Sequence, residues 1–321
     1  MVSIPALRIA SRGSELALWQ SRSVQAALLA ADPALRVQID VIKTTGDNIQ
    51  DVPLAKIGDK GLFTKELDTA LLNGDADLAV HSLKDVPTRL PDGLTLAAIT
   101  AREDPRDVVI LPPGRRGGLY YVKAGAKVGT SSLRRRAQLQ ALRPDLDITD
   151  LRGNLNTRLA KLDAGAYDAI ILAAAGVLRL GWAERIGQYL DAPAWLPAVG
   201  QGALAVVARA DRLDVLDRLR PLHDPRAAAC TRAERALLRA LEGGCQVPIG
   251  ALASVDDEGV LLLHGLVAEL DGRCILRVQE VGSMDDAEEV GRRAADALLA
   301  KGAGEILAGI RAALTPEPAA P

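Results

Sequence analysis

The sequence predicts an α/β protein built from two similar doubly wound domains and a small α+β C-terminal domain. Three observations carry this expectation. At 321 residues with 49% apolar content, the chain outgrows a single hydrophobic core, so two or three domains are expected. Through the first two hundred residues, short β-rich runs alternate with helical patterns, as they do where parallel strands are layered with helices. Beyond Arg226 the order changes to one long helical pattern, three strand candidates and a further helix.

In chain order, the first series runs through Leu7 to Ala10, a helix over Glu15 to Leu29, Val37 to Lys43, a helix over Thr64 to Leu72, Leu78 to His81, and Leu94 to Ile99. The apolar pattern lapses between Ala101 and Arg106. A second series follows through Val108 to Leu111, Leu133 to Leu142, Ile148 to Leu151 and Ala169 to Ala173. Pro193 to Gly202 interrupts it again, and Ala203 to Ala208 reads as a strand that could return to the first domain, so that two crossing segments make a hinge. The helical pattern from Arg226 to Leu241 ends at Gly243-Gly244. Strands are then expected over Ile249 to Val255, Val260 to Val267 and Ile275 to Glu280, and a helix over Asp286 to Leu299. The expected domains are 1–101 with 202–222, then 106–197, then 225–314. The Pro- and Ala-rich tail over 315–321 has nothing to bury and is expected to be disordered.

A net charge of −2 gives the whole molecule no field that would gather nucleic acid or an anionic membrane, so any attraction for anions has to be local. Arginine supplies 30 of the 39 basic residues, which suits bidentate carboxylate recognition, although genome composition also enriches it. No apolar run approaches the roughly 18 residues of a membrane span, and Met1 to Pro5 has no basic region ahead of an apolar core, so a cytoplasmic location is expected. The odd set Cys230, Cys245 and Cys274 and the scattered His81, His223 and His264 lack ligand spacing, so no metal site is expected.

Two strand-to-helix turns, Ser11-Arg12-Gly13-Ser14 and Gly129-Thr130-Ser131-Ser132, place hydroxyls where a helix begins. N-capping is the common use of such turns, and free N–H groups there also bind anions. Arg12 accompanies the first turn, and Arg134 and Arg135 the second. Arg152 follows a strand, Arg158 lies on the helix after it, and Arg179 follows another strand and helix. If the strands are parallel, their carboxyl ends share one rim and these arginines could converge on one crevice; Arg136 and Arg143 read as solvated surface cations. The Gly- and Pro-punctuated stretch from Thr44 through residue 61 is long enough for a lid that brings Lys56 and Lys60 over a bound anion, or for an ordinary loop.

In Val80-His81-Ser82-Leu83-Lys84-Asp85-Val86-Pro87 an apolar strand runs into a polar cluster. Asp85 there could stabilise a developing cation or handle a proton, or simply make a turn or pair with Lys84. Cys245 follows a double glycine at a helix C-terminus, the negative dipole end, which opposes thiolate formation. An attachment point, needing only a strongly electrophilic partner, suits it better than a protease-like activated nucleophile. Cys230 and Cys274 read as packing residues.

These elements in order resemble the porphobilinogen deaminase (hydroxymethylbilane synthase) family over nearly the whole chain. The resemblance rests on the Arg12-Gly13-Ser14 turn, Lys43-Thr44-Thr45-Gly46-Asp47, Lys60 to Leu67, Val80 to Pro87, Gly129 to Arg135, Arg152 to Arg158, and above all Leu241 to Gly250. It implies two domains similar to periplasmic solute-binding lobes, with an active site in the cleft between them. It further implies a dipyrromethane cofactor bound through a thioether at Cys245, to which four porphobilinogen units are added with loss of ammonia before hydroxymethylbilane is released. Asp85 would stabilise electron-poor pyrroles and assist proton transfer. Lys84, Ser132, Arg134, Arg135 and Arg158 would hold the cofactor; Arg12, Arg152, Arg179, Lys56, Lys60 and Phe63 would contact substrate. A monomer is implied as well. Leu155-Asn156, Leu83 and Gly114 to Val122 depart from the family's usual pattern but spare the charged positions.

A non-catalytic binder of small anions would use the same two-lobed, Arg-lined design, but would have no need of Cys245. A nucleic-acid binder built on Arg134-Arg135-Arg136 is disfavoured by the net charge and by only eight aromatic residues.

Overall fold

The computed structural model describes residues 6–44, 64–241 and 247–314. Lys56, Lys60, Phe63, Cys245, the expected lid beyond Thr44 and the 315–321 tail lie outside the described residues. Strands β1 (Leu7–Ser11), β2 (Val37–Val41), β3 (Leu78–Ser82), β4 (Leu94–Ile99) and β10 (Leu204–Arg209) form one sheet in the order β2-β1-β3-β10-β4. Alternate side chains go to opposite faces of a strand. Leu78 and Val80 accordingly pack with Val24 and Leu28 of helix α1 (Glu15–Ala31), while Ala79 packs with Leu67 and Leu71 of helix α2 (Lys65–Asn73) on the other side. Burial on both faces explains the continuously apolar strands.

The second sheet takes β5 (Asp107–Ile110), β6 (Lys127–Gly129), β7 (Asp147–Thr149), β8 (Ala169–Ala173) and β9 (Ile186–Leu190) in the order β7-β6-β8-β5-β9. Val109 and Ile171 face Leu139 of α3 (Leu133–Leu142), whereas Val108, Ile170 and Leu172 face Leu162 of α4 (Leu155–Asp163) and Val177 of α5 (Ala174–Arg179). The alternating pattern predicts parallel layers, but both sheets are mixed. Strand β10 pairs antiparallel with β3 and β4, and β5 pairs antiparallel with β8 and β9. The reason is topological. The parallel strands end at the hinge rim, so a strand that enters a lobe from the hinge starts at that rim and runs the opposite way.

After α6 (Leu213–Leu219), α7 (Pro225–Ala240) leads into an antiparallel sheet of β11 (Ile249–Val255), β12 (Val260–Ala268) and β13 (Ile275–Ser283), followed by α8 (Ala287–Ala300) and α9 (Ala303–Leu314). Strand β9 and helix α9 lie outside the sequence pattern. Helices α7 and α8 pack closely because Gly291 meets Ala233 and Ala236 where any Cβ would collide with the Ala233 carbonyl oxygen. Cys230 packs in this core, where burial pushes its thiol up to about 11 and leaves it unreactive at neutral pH. Cys274 precedes β13 rather than lying in it.

The two crossing segments bond to each other: Thr100 N–H donates to Leu204 O, Glu103 N–H to Gly202 O, and Arg102 Nε to Gln201 O at 2.9 Å. Buried Glu234 on α7 grips both. It accepts from the Arg102 guanidinium at 2.6 and 3.1 Å, from Gly200 N–H at 2.7 Å and from Ala253 N–H at 2.8 Å.

Candidate active site

Both hydroxyl turns cap their helices. Ser14 Oγ accepts from Ala17 N–H at 3.3 Å and Ser132 Oγ from Arg135 N–H at 3.4 Å. Arg12 stands at the end of β1, near enough to His81 on β3 that its charge, after burial itself, helps drive His81 down to about 4. His81 is therefore neutral at pH 7.

At the head of α3, Arg134 and Arg135 are both buried, at 4% and 6% exposure. Each donates to a different oxygen of Asp107, the first residue of β5, at 2.7 Å. Asp107 also accepts from Trp195 Nε1 at 2.8 Å and Gln201 Nε2 at 2.9 Å. Burial alone would raise the Asp107 pKa. The two guanidiniums and their hydrogen bonds override it and hold the carboxyl far below the usual carboxylate range. Arg134 is further fixed by Leu196 O at 2.7 Å, and Arg135 by Ile171 O at 2.9 Å. Arg134 thus directs these hydrogen bonds inward, to Asp107 and backbone.

Lys84 and Asp85 occupy a single 3₁₀ turn, Leu83–Asp85, at the carboxyl end of β3. The Lys84 ammonium donates to Gln201 Oε1 at 3.4 Å. Burial brings its pKa down to about 8, with Arg135 and Arg134 adding to the fall and Asp85 and Asp107 opposing it. Arg158 on α4 donates from Nε to Gly153 O at 2.8 Å. Burial, then Arg135 and Arg152, lowers its pKa to about 10 against the pull of Asp85. Asp85 of the first lobe is therefore in the field of Lys84 beside it and of Arg158 across the cleft. Arg135 and Asp85 act on both Lys84 and Arg158, with Arg134 acting on the first and Arg152 on the second. Four of the arginines expected on the shared rim thus belong to one electrostatic group, while Arg12 acts on His81.

Arg179, the last residue of α5, is placed elsewhere. Its Nη2 donates to Gly202 O at 2.6 Å and its guanidinium lies 5.7 Å from the Trp19 ring centroid. Burial lowers its pKa to about 10. Asn156 Nδ2 to Glu15 Oε2 at 2.5 Å is a second contact between the lobes. Arg136 makes an exposed ion pair with Asp150, but Arg143 is not simply solvated. Besides Asp145, it donates to Leu119 O and to Val122 O, pinning the turn at Leu119–Tyr121.

The chemistry of this donor set fits a ligand rich in carboxylates. Among the described residues five cations share the cluster with two carboxylates, and Asp107 is consumed by Arg134 and Arg135. Arg135 Nε is buried with no hydrogen-bond partner among the described residues. Buried charge in excess calls for a counter-charge, and guanidinium donors match carboxylates in geometry. Sequence reasoning missed Asp107, Gln201 and Trp195. A signal existed: an aspartate opening the apolar run Asp107-Val108-Val109-Ile110 is a buried charge, which requires a cation.

A family model described as "Porphobilinogen deaminase, dipyromethane cofactor binding domain" matches residues 7–217, and a second, "Porphobilinogen deaminase, C-terminal domain", matches 228–300. The porphobilinogen deaminase of Syntrophobacter fumaroxidans is 54% identical over 301 residues, covering 94% of this chain and 96% of its own. That of Moorella thermoacetica is 54% identical over 306 residues, covering 95% and 97%. Among solved structures, the periplasmic VFT2 domain of Bordetella pertussis BvgS aligns at 15% identity with a TM-score of 0.41, covering 68% of this chain and 86% of that one. No helix among the described residues is long and apolar enough to cross a membrane. Two family models spanning most of the chain, and relatives identical at more than half their positions over nearly its full length, show that this chain belongs to the porphobilinogen deaminase family.

Proposed function

We propose that the chain is a transferase, a hydroxymethylbilane synthase, which condenses four porphobilinogen molecules stepwise onto a dipyrromethane held by Cys245, with loss of ammonia, and releases hydroxymethylbilane by hydrolysis. The observation that carries this reading is that the charge of Asp85 acts both on a cation of its own lobe, Lys84, and on one of the facing lobe, Arg158. The bound dipyrromethane supplies an electron-rich pyrrole carbon at which the chain grows.

Asp85 accepts a pyrrole N–H hydrogen bond and stabilises positive charge that develops on a ring. A carboxylate held in place beside the developing charge does this without reorganising. Lys84, Arg158, Arg135 and Ser132 hold the acetate and propionate groups of the cofactor. Arg12 and Arg152, with Lys56, Lys60 and Phe63, take those of substrate, while Arg179, expected among them, acts from the hinge through its bond to Gly202 O. Arg134 contributes through Asp107, by keeping the head of α3 and Arg135 in place. The working domains are 1–101 with 202–222, 106–197 and 225–314, a division supported by the separate cores of the three sheets. One chain supplies every proposed group, which supports a monomer. The free thiols of Cys230 and Cys274 suit a reducing cytoplasm.

The test is intact mass of the protein made in a host able to supply porphobilinogen, beside a Cys245→Ser variant. The parent is expected to carry an excess equal to two linked pyrroles and the variant none. Bare polypeptide mass in both would refute covalent attachment at Cys245. Asp85→Ala is expected to keep the excess mass and lose turnover; near-normal turnover would refute its role.

A further inference from the structure

Where the second sheet's lobe meets the C-terminal sheet, a cavity of about 310 Å³ lies on the side of β12 and β13 that faces the segment Pro193–Leu196. Register and alternation place its polar groups. His264 lies opposite Gln279, and Arg277 opposite Leu266, on the same face as Leu266 and Ala268, which pack with Leu196 and Ala137. Lys301, just beyond α8, reaches in and donates to Arg277 O at 2.7 Å. Pro193 and Leu196 supply apolar lining, whereas the Val278 side chain packs into the core on the other face.

The walls are held in place. Arg277 donates to Pro193 O at 2.7 Å and Ala194 O at 2.8 Å. Leu196 is fixed from behind, its N–H by Gln138 Oε1 at 2.8 Å and its carbonyl by Gln138 Nε2 and Arg134. The hydrogen bonds of Arg277 and Lys301 therefore go to backbone carbonyls and not to acids. Glu280, the acid nearest in sequence on β13, points to the other face and pairs with Arg293 at 3.4 Å. Burial, with the Arg277 charge behind it, lowers the pKa of His264, leaving a neutral ring that can donate or accept. Burial alone lowers that of Arg277. A preformed hollow with two cations, no carboxylate and apolar walls is built for an anion with an apolar body, and its volume is at the small end of the roughly 300–1,000 Å³ of small-molecule sites.

We propose that this cavity is a binding site for a small aromatic or aliphatic carboxylate, separate from the cleft around Asp85. Arg277 and Lys301 face the acid group, Gln279 and His264 hydrogen-bond it, and Pro193 and Leu196 receive its hydrocarbon part.

Titration calorimetry of the holoenzyme with phthalate as the probe tests this, alongside Lys301→Gln, Gln279→Glu and, as a control in the other cleft, Arg152→Leu. Lys301 and Gln279 are exposed, so both substitutions are compatible with folding. The expected result is a binding event retained in the Arg152→Leu protein and weakened roughly tenfold or more by each of the other two, as loss of a charge-assisted contact implies. Two results overturn the proposal: no heat of binding in the parent at millimolar probe, or binding that survives both cavity substitutions unchanged.

Discussion

Asp107 offers the sharpest test of how the cationic cluster is held. Replacing it with alanine removes the acceptor that Arg134, Arg135, Trp195 and Gln201 share, and leaves two buried guanidiniums next to each other. Removing one partner of a buried ion pair costs about 3–5 kcal/mol. Two cations lose their partner here, which puts the expected loss in the upper part of that range. At about 2–4 °C per kcal/mol the melting temperature should fall by roughly 8–20 °C, read by scanning calorimetry. Asp107→Asn keeps the shape and one acceptor, and is expected to fall between the parent and the alanine variant.

The pH dependence follows from the sign of the shift. The folded-state value lies below the unfolded one, so the stability Asp107 contributes is complete above the ordinary carboxylate range and drains only in acid. The difference between parent and Asp107→Asn should therefore be flat from about pH 5 to 8 and shrink below about pH 4. An Asp107→Ala protein melting within about 2 °C of the parent would refute this account, because the guanidiniums would then have found other partners or solvent.

Gly202 has φ +94° and meets the Glu103 carbonyl where a Cβ would stand, so Gly202→Ala should lose about 1–3 kcal/mol or more in a denaturant melt; an unchanged midpoint would mean that the hinge turn relaxes freely. Lys84 has a pKa lowered to about 8, so if its ammonium holds a carboxylate, kcat/KM should decline above about pH 8. Lys84→Arg should move that alkaline limb upward, and a limb that stays in place belongs to another group. The same shift means that stability rises with pH between about 8 and the ordinary lysine value, because there the unfolded chain binds the proton the folded one has given up.

The strand ends were legible because each motif runs from a strand into a polar turn: Val80 to Pro87 and Gly129 to Arg135 read correctly as a strand followed by a turn, and the charges of Lys84, Arg134 and Arg135 act on one another. Pairing direction was not legible. It depends on which edge the chain re-enters, and local sequence in Asp107–Ile110 or Leu204–Arg209 carries no mark of that. Partner choice was equally hidden. Asp107 finds Arg134 27 residues away, Trp195 88 away and Gln201 94 away, and Arg102 finds Glu234 132 away. The run Arg102-Glu103-Asp104-Pro105-Arg106 looked like a polar boundary because its partners arrive only with the fold.

The arginines of the cleft fall into two electrostatic kinds, and this bears on what a ligand does to the protein. Arg134 and Arg135 share the single charge of Asp107, and Arg134 directs its hydrogen bonds to Asp107 and Leu196 O, so a ligand gains little from Arg134. Burial and neighbouring cations lower the pKa of Arg134 as well as those of Lys84 and Arg158. Asp107 is the hydrogen-bonded carboxylate of Arg134, whereas the carboxylate that acts on both Lys84 and Arg158 is Asp85. Each therefore holds its proton at a cost in the ligand-free cleft. Carboxylates placed between them supply the missing counter-charge, return both groups toward full protonation, and stabilise the folded chain in proportion to that gain. Binding of an anionic ligand and stability of the two-lobed arrangement are thus linked through Lys84 and Arg158, one from each lobe. A substitution that removes either cation should narrow the gap in melting temperature between ligand-free and ligand-bound protein, whereas one at Arg134 should lower both together.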